Sequence, residues 1–228
     1  MGSYNLMVNQ QVRWILPKPS QSPPRRTQED RREESDRRIL RAAIRLIARN
    51  GSAGTSMAEI GLAAGYSRGL PSERFGTKDA LLRSVVATIE EAFQARLAGD
   101  LGDKTGLAAV EARVGAHLDG ALKGAAGVRA LYLLYMESLT VAPDLHAQIA
   151  QMGHDNRDGL AAHLREAQRL GEINRDIDSK AHAMVILGAI RGIITQWVID
   201  PRAVDLLEAK AVLVSMVQRL AGRPRSGR

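Results

Sequence analysis

The stretch that most constrains the fold runs from Thr55 to Asp79 and reads TSMAEIGLAAGYSRGLPSERFGTKD. Ser56 precedes Glu59 with the spacing of a capping box, so a helix is expected to begin at Met57. Gly65 then supplies the left-handed backbone freedom that a sharp turn requires. Two short helices joined by such a turn form a helix-turn-helix unit, whose second helix can enter the major groove of DNA.

The second helix of this unit is expected to open at Ser67, which would serve as its N-cap. Thr77 and Lys78 then have the character of the cap and first turn of a longer helix, and the carboxylate of Asp79 suits the positive end of its dipole. Before the unit, residues 35–51 show a helical apolar face and end at an Asn-Gly pair, which is a common helix stop. This first helix is expected to brace the next two.

A set of residues with fixed spacing extends this pattern on both sides: Arg38-Ile39-Leu40, Ala42-Ala43, Asn50-Gly51, Thr55-Ser56, Ile60, Ala64-Gly65-Tyr66-Ser67, Gly69, Phe75 and Thr77-Lys78-Asp79-Ala80-Leu81. In these residues the chain resembles the tetracycline-repressor (TetR) family of bacterial transcription regulators. It departs from that family at three positions. Gly61 stands where the family usually has alanine, Pro71 where it has an aliphatic residue, and Ser72 where it has an aromatic residue.

The resemblance implies an all-α homodimer with two domains. A three-helix helix-turn-helix DNA-binding domain would cover residues 35–80, and a helical effector-binding and dimerisation domain would cover residues 81–221. The residues agree with this division, because the chain after Asp79 shows helical apolar stripes and no sustained strand alternation. The segment 1–34 is rich in proline and arginine and is expected to be a flexible arm, and 222–228 a basic tail. The arm either reaches DNA phosphates or is simply solvated.

Positive charge is concentrated in the part of the chain that holds the helix-turn-helix. Residues 1–80 carry 14 Lys and Arg against 8 Asp and Glu, whereas the remainder carries 18 against 17. Clustered cations are what binding to double-stranded DNA requires. The sequence has no cysteine, and its five histidines show no metal-ligand spacing, so we expect neither a metal nor a cofactor.

Two further absences in the sequence set expectations about location and chemistry. No run approaches the roughly 18 apolar residues of a membrane span, and the N-terminus lacks the apolar core of a signal peptide, so we expect a cytoplasmic protein without a membrane partner. There is no phosphate-binding glycine loop followed by Lys-Ser/Thr, and no GxSxG elbow. An enzyme is therefore not expected.

Eight residues of the helix-turn-helix are candidate DNA contacts: Thr55, Ser56, Ser67, Arg68, Gly69, Ser72, Arg74 and Lys78. Arg68 and Arg74 are the candidate base readers, because arginine is the commonest reader of guanine, although both could merely touch phosphate. Lys78 begins a helix, so its ammonium and the free amides of that turn can clamp a phosphate together. The alternative for Lys78 is a solvated side chain, and for Ser67 a cap with no contact to DNA.

Four large side chains of the second domain are candidate walls of an effector pocket: Tyr132, Tyr135, Met136 and Trp197. They combine apolar bulk with a polar tip or adaptable packing, although such residues are more often plain core than ligand wall. Six residues are candidates for the dimer interface that the resemblance implies: Gly188, Gly192, Leu206, Leu213, Val217 and Leu220. The two glycines would let helices approach closely, and the alternative is that both helices belong to a monomeric core.

The sequence therefore predicts a ligand-responsive transcriptional regulator. The expected form is a homodimeric repressor that binds a palindromic operator and is released by a small-molecule effector. A different class of function also suits a helical domain with an apolar cavity, namely a carrier or sensor of hydrophobic molecules without sequence-specific DNA binding. Salt-dependent binding to a palindromic duplex separates the two, since a carrier would show none.

Overall fold

A computed structural model describes residues 27–221, and this part of the chain is almost entirely helical. Its α-helices are α1 (Gln28–Asn50), α2 (Met57–Ala63), α3 (Leu70–Phe75), α4 (Lys78–Leu101), α5 (Gly106–Lys123), α6 (Ala125–Glu137), α7 (His146–Leu170), α8 (Ser179–Ile199) and α9 (Leu206–Gln218). A short 3-10 turn, Pro143–Leu145, precedes α7. The one β contact in the described residues is a single bridge between Ile173 and Ala221. The predicted all-α fold is confirmed.

Helix α1 begins at Gln28, seven residues before the expected start at Ser35. The cause is a capping box: the Thr27 hydroxyl accepts the Asp30 N–H at 3.1 Å, and the Asp30 carboxylate accepts the Thr27 N–H at 2.8 Å. Residues 28–34, expected in the flexible arm, are therefore helical. The rest of that arm, and the basic tail at 222–228, lie outside the described residues.

Helices α1, α2 and α3, which we call the N-terminal unit, share a core with the start of α4. Ile39, Ile47, Ile60 and Leu81 are buried in it. The same cluster continues into α6 through Leu134. The N-terminal unit is therefore packed directly onto the rest of the molecule, with α1 lying along α6.

Helices α4 to α9, which we call the C-terminal unit, form a bundle in which α5 packs against α4, α7 and α9, and α7 packs against α8. Its main core includes Val114, Leu118, Leu160, Leu164 and Ile190, none of which is exposed. Helix α4 is continuous over 24 residues and joins the two units. Gly153 and Gly159 lie within α7 and do not interrupt it.

The structure corrects three of the residues assigned to the dimer interface. Leu206, Leu213 and Val217 are 2%, 5% and 2% exposed, because their face of α9 packs onto the core of the same protomer. Leu220 is half-buried against that core and lies beyond the end of α9. The leucine repeat thus marks the inner face of α9, and its outer face is the one available to a second copy.

The outer faces of α8 and α9 carry a cluster of uncovered apolar side chains. The cluster, which we call the α8–α9 face, comprises Met184, Val185, Leu207, Val212 and Met216, each more than half exposed. Gly188 and Gly192 lie on α8 with no other atoms within 4 Å of where a Cβ would stand. The two glycines are therefore open to close approach by a partner helix, as the sequence predicts.

Helix α8 has the length and hydropathy of a membrane span, contrary to the sequence expectation that no such run exists. It contains an 18-residue window of mean hydropathy 1.5, of which 28% is buried. It is the one helix among residues 27–221 that meets this test. One such helix is weak evidence for a membrane, because apolar helices of protein interiors meet the same criteria. Helix α8 is thus an apolar helix with a large uncovered side.

Candidate DNA-reading surface and effector cavity

Helix α2 and the turn after it form as the sequence predicts. The Ser56 hydroxyl accepts the Glu59 N–H at 3.2 Å, and the Glu59 carboxylate accepts the Ser56 N–H at 2.9 Å. These hydrogen bonds lower the pKa of Glu59. After α2 the backbone of Gly65 turns with φ of +80°, a conformation that side chains with a Cβ rarely adopt.

Helix α3 begins at Leu70 rather than at Ser67, so Ser67 is not its N-cap. Gly69 occupies the cap position and makes no side-chain hydrogen bond there. Pro71 lies in the first turn, where its missing N–H costs little, and is buried. A Cβ at Gly61 would collide with the Ser67 carbonyl and lie 3.1 Å from Pro71 Cδ. The glycine and the proline, both departures from the family pattern, therefore fit one another.

Four of the candidate DNA contacts lie together on the surface at the start of α3. Ser67, Arg68, Gly69 and Ser72 are all exposed. A Cβ at Gly69 would meet nothing within 4 Å, so the backbone there is open to close approach. Within the described residues Arg68 has no ion-pair partner. This surface offers one guanidinium, two hydroxyls and an accessible backbone to a groove.

Arg74, the second predicted base reader, is engaged inside the protein. Its Nε and Nη2 donate to the two carboxylate oxygens of Asp36 at 2.7 and 2.5 Å, and Nη2 also donates to the Arg32 carbonyl at 3.1 Å. Its side chain is only 12% exposed. The hydrogen bond to Asp36 raises the pKa of Arg74. Arg74 therefore fixes α3 against α1, and the prediction that it reads a base is not supported by its position.

Thr55 is also placed differently from the prediction. It is 2% exposed, and its hydroxyl donates to the Gly51 carbonyl at 2.8 Å, which closes the turn between α1 and α2. It is not available to DNA. Ser56 is exposed, but its hydroxyl is used in the cap and also donates to Glu59 at 2.7 Å.

The start of α4 has the helix cap that the sequence predicts. The Thr77 hydroxyl accepts the Ala80 N–H at 3.1 Å, so Thr77 is the N-cap and Lys78 is the first helical residue. The first amides of a helix have no partner within it and attract anions. Lys78 is half-buried and makes no described ion pair. Its ammonium and this helix end can therefore act on one phosphate.

Three of the four predicted effector residues come together. Tyr132, Tyr135 and Met136 line a cavity of about 320 Å³ between α6, α7 and α8, and the two tyrosines also line a smaller inner cavity of about 50 Å³ next to α4. Their rings lie 5.3 Å apart between centroids. Trp197 lies elsewhere, in an open groove of about 600 Å³ that also contains Arg45, Arg49 and Arg129. Its assignment to the tyrosine pocket is therefore corrected.

Several polar groups that line the inner cavity have pKa values shifted from their ordinary ones. His117 stacks on Phe93 with centroids 4.4 Å apart, and burial, aided by the positive charge of nearby arginines, lowers its pKa to about 3. Burial raises the pKa of Glu90, and it raises that of Tyr135 to about 12. His117 is therefore neutral at physiological pH. The spacing of His117 in the sequence gives no sign of this environment.

Some buried polar atoms around these cavities have no partner among the described residues. The Asn156 side chain donates to the Met152 carbonyl at 2.9 Å, but its Oδ1 makes no hydrogen bond. The Nε of Arg96 is likewise buried and unpaired, and both side chains line the inner cavity. Unsatisfied buried polar groups are costly, so they commonly mark places where a water or a ligand binds.

Two side chains of α6 connect the N-terminal unit to the C-terminal unit. The Glu137 carboxylate accepts the Ser52 N–H at 3.0 and 3.2 Å, just beyond the end of α1. Arg129 donates from Nε to the Ala48 carbonyl at 2.7 Å and from Nη1 to the Val198 carbonyl at 2.9 Å. Helix α6, which carries Tyr132 and Tyr135 between these two residues, is thus attached to α1 at two points.

Comparison with known proteins agrees with this arrangement. A family model described as bacterial regulatory proteins of the tetR family matches residues 39–85. The chain is 41% identical over 69 residues to the HTH-type transcriptional regulator CymR of Pseudomonas putida, a match that covers 30% of this chain and 32% of that protein. It is 25% identical over 189 residues to the HTH-type transcriptional regulator TtgR, also of Pseudomonas putida, covering 80% of this chain and 89% of that protein.

A solved structure extends the likeness to the whole fold. The transcriptional regulator FadR of Bacillus subtilis, in complex with stearoyl-CoA, superposes with a TM-score of 0.70 at 20% identity, covering 82% of this chain and 97% of that chain. The chain is therefore similar to tetR-family regulators in its N-terminal unit and in its overall fold. Like the relatives it matches, this protein is a DNA-binding transcriptional regulator, and those relatives are regulators rather than enzymes. Residues 27–221 contain no group of three or more His, Asp or Glu side chains placed to hold a metal ion.

Proposed function

We propose that this protein is a homodimeric repressor that acts in the cytoplasm, binds a palindromic operator and leaves it when a small molecule fills the cavity beside α6. The observation that carries the proposal is the position of α6. One helix lines the cavity with Tyr132 and Tyr135 and is hydrogen-bonded to the N-terminal unit on either side of them.

The DNA contacts of this proposal are assigned to the candidate residues that are exposed and not held by contacts within the protein. Arg68 reads a base from the exposed start of α3, Ser67 and Ser72 donate hydroxyls, and Gly69 lets the backbone approach. Lys78 and the first turn of α4 hold a phosphate and set the register. Arg74 supports the surface from behind through Asp36.

The dimer of this proposal forms through the α8–α9 face. An exposed apolar cluster of this kind needs a cover, because contiguous apolar surface on a protein typically marks an interaction site. Gly188 and Gly192 lie within the same region and allow the helix of a second copy to come close. A two-fold pair places two copies of α3 on successive major grooves, about 34 to 36 Å apart.

The effector acts, in this proposal, by moving α6. A ligand in the cavity displaces the tyrosine face of the helix, and the Glu137 and Arg129 hydrogen bonds transmit the change to the end of α1. The effector must bind the DNA-free arrangement better than the DNA-bound one, and DNA must then weaken effector binding by the same factor. The solved structure of FadR with stearoyl-CoA supports a ligand site within this fold.

Selection of bound fragments from a random pool of duplex DNA tests the regulator as a whole. The expected product is a palindrome with half-sites one helical turn apart. Lys78→Ala should weaken binding to all sequences alike and reduce the salt slope by about one, whereas Arg68→Ala should cost about 1 to 3 kcal/mol and relax the preference at one position in each half-site. Recovery of no common sequence, with binding that does not depend on salt, would favour the carrier function instead.

The interface is tested by a matched pair of substitutions on α9. Met216→Glu places a charge on the exposed α8–α9 face, and sedimentation should then show a folded monomer that has lost operator affinity. Leu213→Glu places the same charge in the protomer's own core, where an unpaired charge costs several kcal/mol, and should unfold the protein. A Met216→Glu protein that remains dimeric would locate the interface elsewhere.

A further inference from the structure

Two arginines from different helices converge at the cavity of about 320 Å³ between α6, α7 and α8. Arg157 comes from α7 and Arg191 from α8, and both line this cavity. The convergence occurs over Gly153 of α7. A Cβ at that position would stand 3.2 Å from Nη2 of Arg191 and 3.3 Å from Nη1 of Arg157. The two guanidinium groups therefore reach the same point, and the missing side chain of Gly153 makes room for both.

The positive charge at this point is not balanced by the cavity's own walls. The cavity lining includes no carboxylate among the described residues. On α7 itself, the carboxylate of Asp155 accepts from Gln151 at 2.8 Å and that of Asp158 lies 3.1 Å from His154, so the described contacts of both are with other side chains. Neither Arg157 nor Arg191 forms an ion pair in the described part of the chain.

One carboxylate does act on Arg191 from the opposite side. Glu90 of α4 lines the inner cavity with Arg191, but its carboxylate accepts from Gln94 at 2.6 Å and does not reach Arg191 within ion-pair distance. Two like charges held at one point, with no carboxylate within ion-pair distance of either among the described residues, favour the binding of an anion. Paired guanidinium groups suit a carboxylate in particular, because each can donate two parallel hydrogen bonds.

The remainder of the cavity is suited to an apolar body. Tyr132, Tyr135, Met136, Leu139 and Ile149 surround it. The guanidinium of Arg191 also lies 5.2 Å from the centre of the Tyr135 ring, so the charged and aromatic walls meet. A volume of about 320 Å³ is at the lower end of the range for small-molecule sites, which fits a ligand of one or two rings or a short chain.

We propose that the effector is an amphipathic monoanion, with a carboxylate or similar head bound between Arg157 and Arg191 and an aromatic or aliphatic body against the two tyrosines. The inference rests on the proposed function of this cavity as the effector site. It names the chemical class of ligand, which neither the fold nor the helix-turn-helix specifies. Gly153 is part of the site, because a side chain there would separate the two arginines.

A pair of fluorescent probes that differ in charge tests this proposal. The anion 1-anilinonaphthalene-8-sulfonate and the neutral N-phenyl-1-naphthylamine share one ring system, and both fluoresce on entering apolar sites. The full-length protein should bind the anion at least tenfold more tightly than the neutral probe. Arg157→Gln and Arg191→Gln should each reduce anion affinity about tenfold and change neutral-probe affinity less than twofold. Gly153→Leu should have the same effect as either substitution.

Three controls make the result decisive. Arg165→Gln, on an exposed position of α7, removes the same charge from the same helix and should leave both affinities unchanged. Arg49→Gln tests the Trp197 groove, which also contains arginines, and should likewise have no effect. Circular dichroism verifies that each variant is folded, and each variant's affinity for the neutral probe verifies that the apolar cavity is intact.

Several outcomes would overturn the proposal. One is equal affinity for the two probes in the unaltered protein. Another is a preference for the anionic probe that survives in the Arg157→Gln, Arg191→Gln double variant. A third is loss of that preference in Arg49→Gln instead. The proposed function fails separately, because it requires a selected operator and release from it. A protein that binds no operator yet shows the arginine-dependent preference would retain the anion site and lose the regulatory role.

Discussion

The N-terminal and C-terminal units use their polar side chains in opposite ways. In the N-terminal unit the buried and partly buried polar groups are paired: Thr55 with a carbonyl, and Arg74 with Asp36. All the buried side-chain atoms without a partner among residues 27–221 lie in the C-terminal unit. They belong to Arg96, Arg113, Gln148, Asn156 and His163.

This difference corresponds to two kinds of binding. DNA is read on the outer surface, so the N-terminal unit can satisfy its interior completely and hold one conformation. In the proposed function a small molecule binds inside, and the C-terminal unit has cavities and unpaired polar groups that such a ligand would complete. The unit that must change shape is therefore the one whose interior is incompletely satisfied, and four predictions test that contrast.

The largest expected effect is on the tight packing of the N-terminal unit. Gly61→Ala should lower the free energy of unfolding by about 3 kcal/mol, because its methyl group would collide with the Ser67 carbonyl and press on Pro71. Gly69→Ala, where the added atom meets nothing, should change it by less than about 0.5 kcal/mol. Urea denaturation measures both. Replacing Pro71 with valine in the Gly61→Ala protein should recover part of the loss, and equal effects at 61 and 69 would contradict the contrast.

The second prediction concerns the partly buried histidine of the C-terminal unit, His117. The folded protein holds the pKa of His117 at about 3, whereas the unfolded chain binds that proton below its ordinary value of 6.5. The unfolded state therefore carries one more proton between these two values. Unfolding free energy should fall by about 1.4 kcal/mol for each unit that the pH drops within that window, and should not depend on this group above it.

The measurement is urea denaturation at several pH values between about 4.5 and 8 for the unaltered protein and for His117→Phe. Below pH 6.5, the ordinary pKa of the group, the unaltered protein should lose stability more steeply than the variant, by about one proton per molecule. Above about pH 7 the two curves should run parallel. Identical slopes throughout would mean that His117 is hydrated or accessible, and would remove one of the features that set the two units apart.

The third effect should be smaller and confined to the N-terminal unit. Asp36→Ala leaves the mostly buried guanidinium of Arg74 without its carboxylate and should cost about 1 kcal/mol, since Asp36 is partly solvated. Amide hydrogen exchange in α3 should accelerate and operator affinity should fall. The control is Glu33→Ala, which removes an exposed carboxylate paired with Arg37 and should cost close to nothing. Equal costs for Asp36 and Glu33 would refute the role given to Arg74.

The smallest effect tests how the two units communicate. Glu137→Ala leaves the buried Ser52 N–H without an acceptor and removes one attachment of α6 to α1. Operator affinity should change little, but the factor by which operator weakens probe binding should shrink about fivefold. Glu91→Ala, an exposed substitution on α4, provides the control. A coupling factor that survives Glu137→Ala would place the connection elsewhere, in Arg129 or in α4.

How much the sequence alone predicted depended on the range of the interaction. The Ser56–Glu59 box, the turn at Gly65 and the Thr77 cap involve neighbours in the chain, and all three were predicted correctly. The engagement of Arg74 depends on a residue 38 positions away, and that of Glu137 on one 85 positions away. No local pattern reveals such pairs.

A second kind of error concerned which face of a helix is buried. The leucine spacing on α9 identified an apolar stripe correctly, but a stripe at Leu206 and Leu213 is equally suited to a protomer's own core and to a partner. Trp197 posed the same difficulty, because its size marks it as a packing residue without saying against what. The family and the helix-turn-helix were predicted from sequence; the pairing of Arg157 with Arg191 over Gly153 was not, since it joins two helices.

The unbroken course of α4 has a mechanical consequence. Lys78, at one end, is the residue proposed to hold a phosphate, while Glu90 lies beside the inner cavity about three turns away. At about 1.5 Å per residue these positions are about 18 Å apart, so the helix is a rigid lever. Tilting it by about 10° at the cavity would carry its phosphate-binding end about 3 Å, which is enough to break hydrogen bonds that tolerate only a few tenths of an ångström. The bending stiffness of α4 between Lys78 and Glu90 would then determine how strongly a movement at the cavity changes phosphate binding.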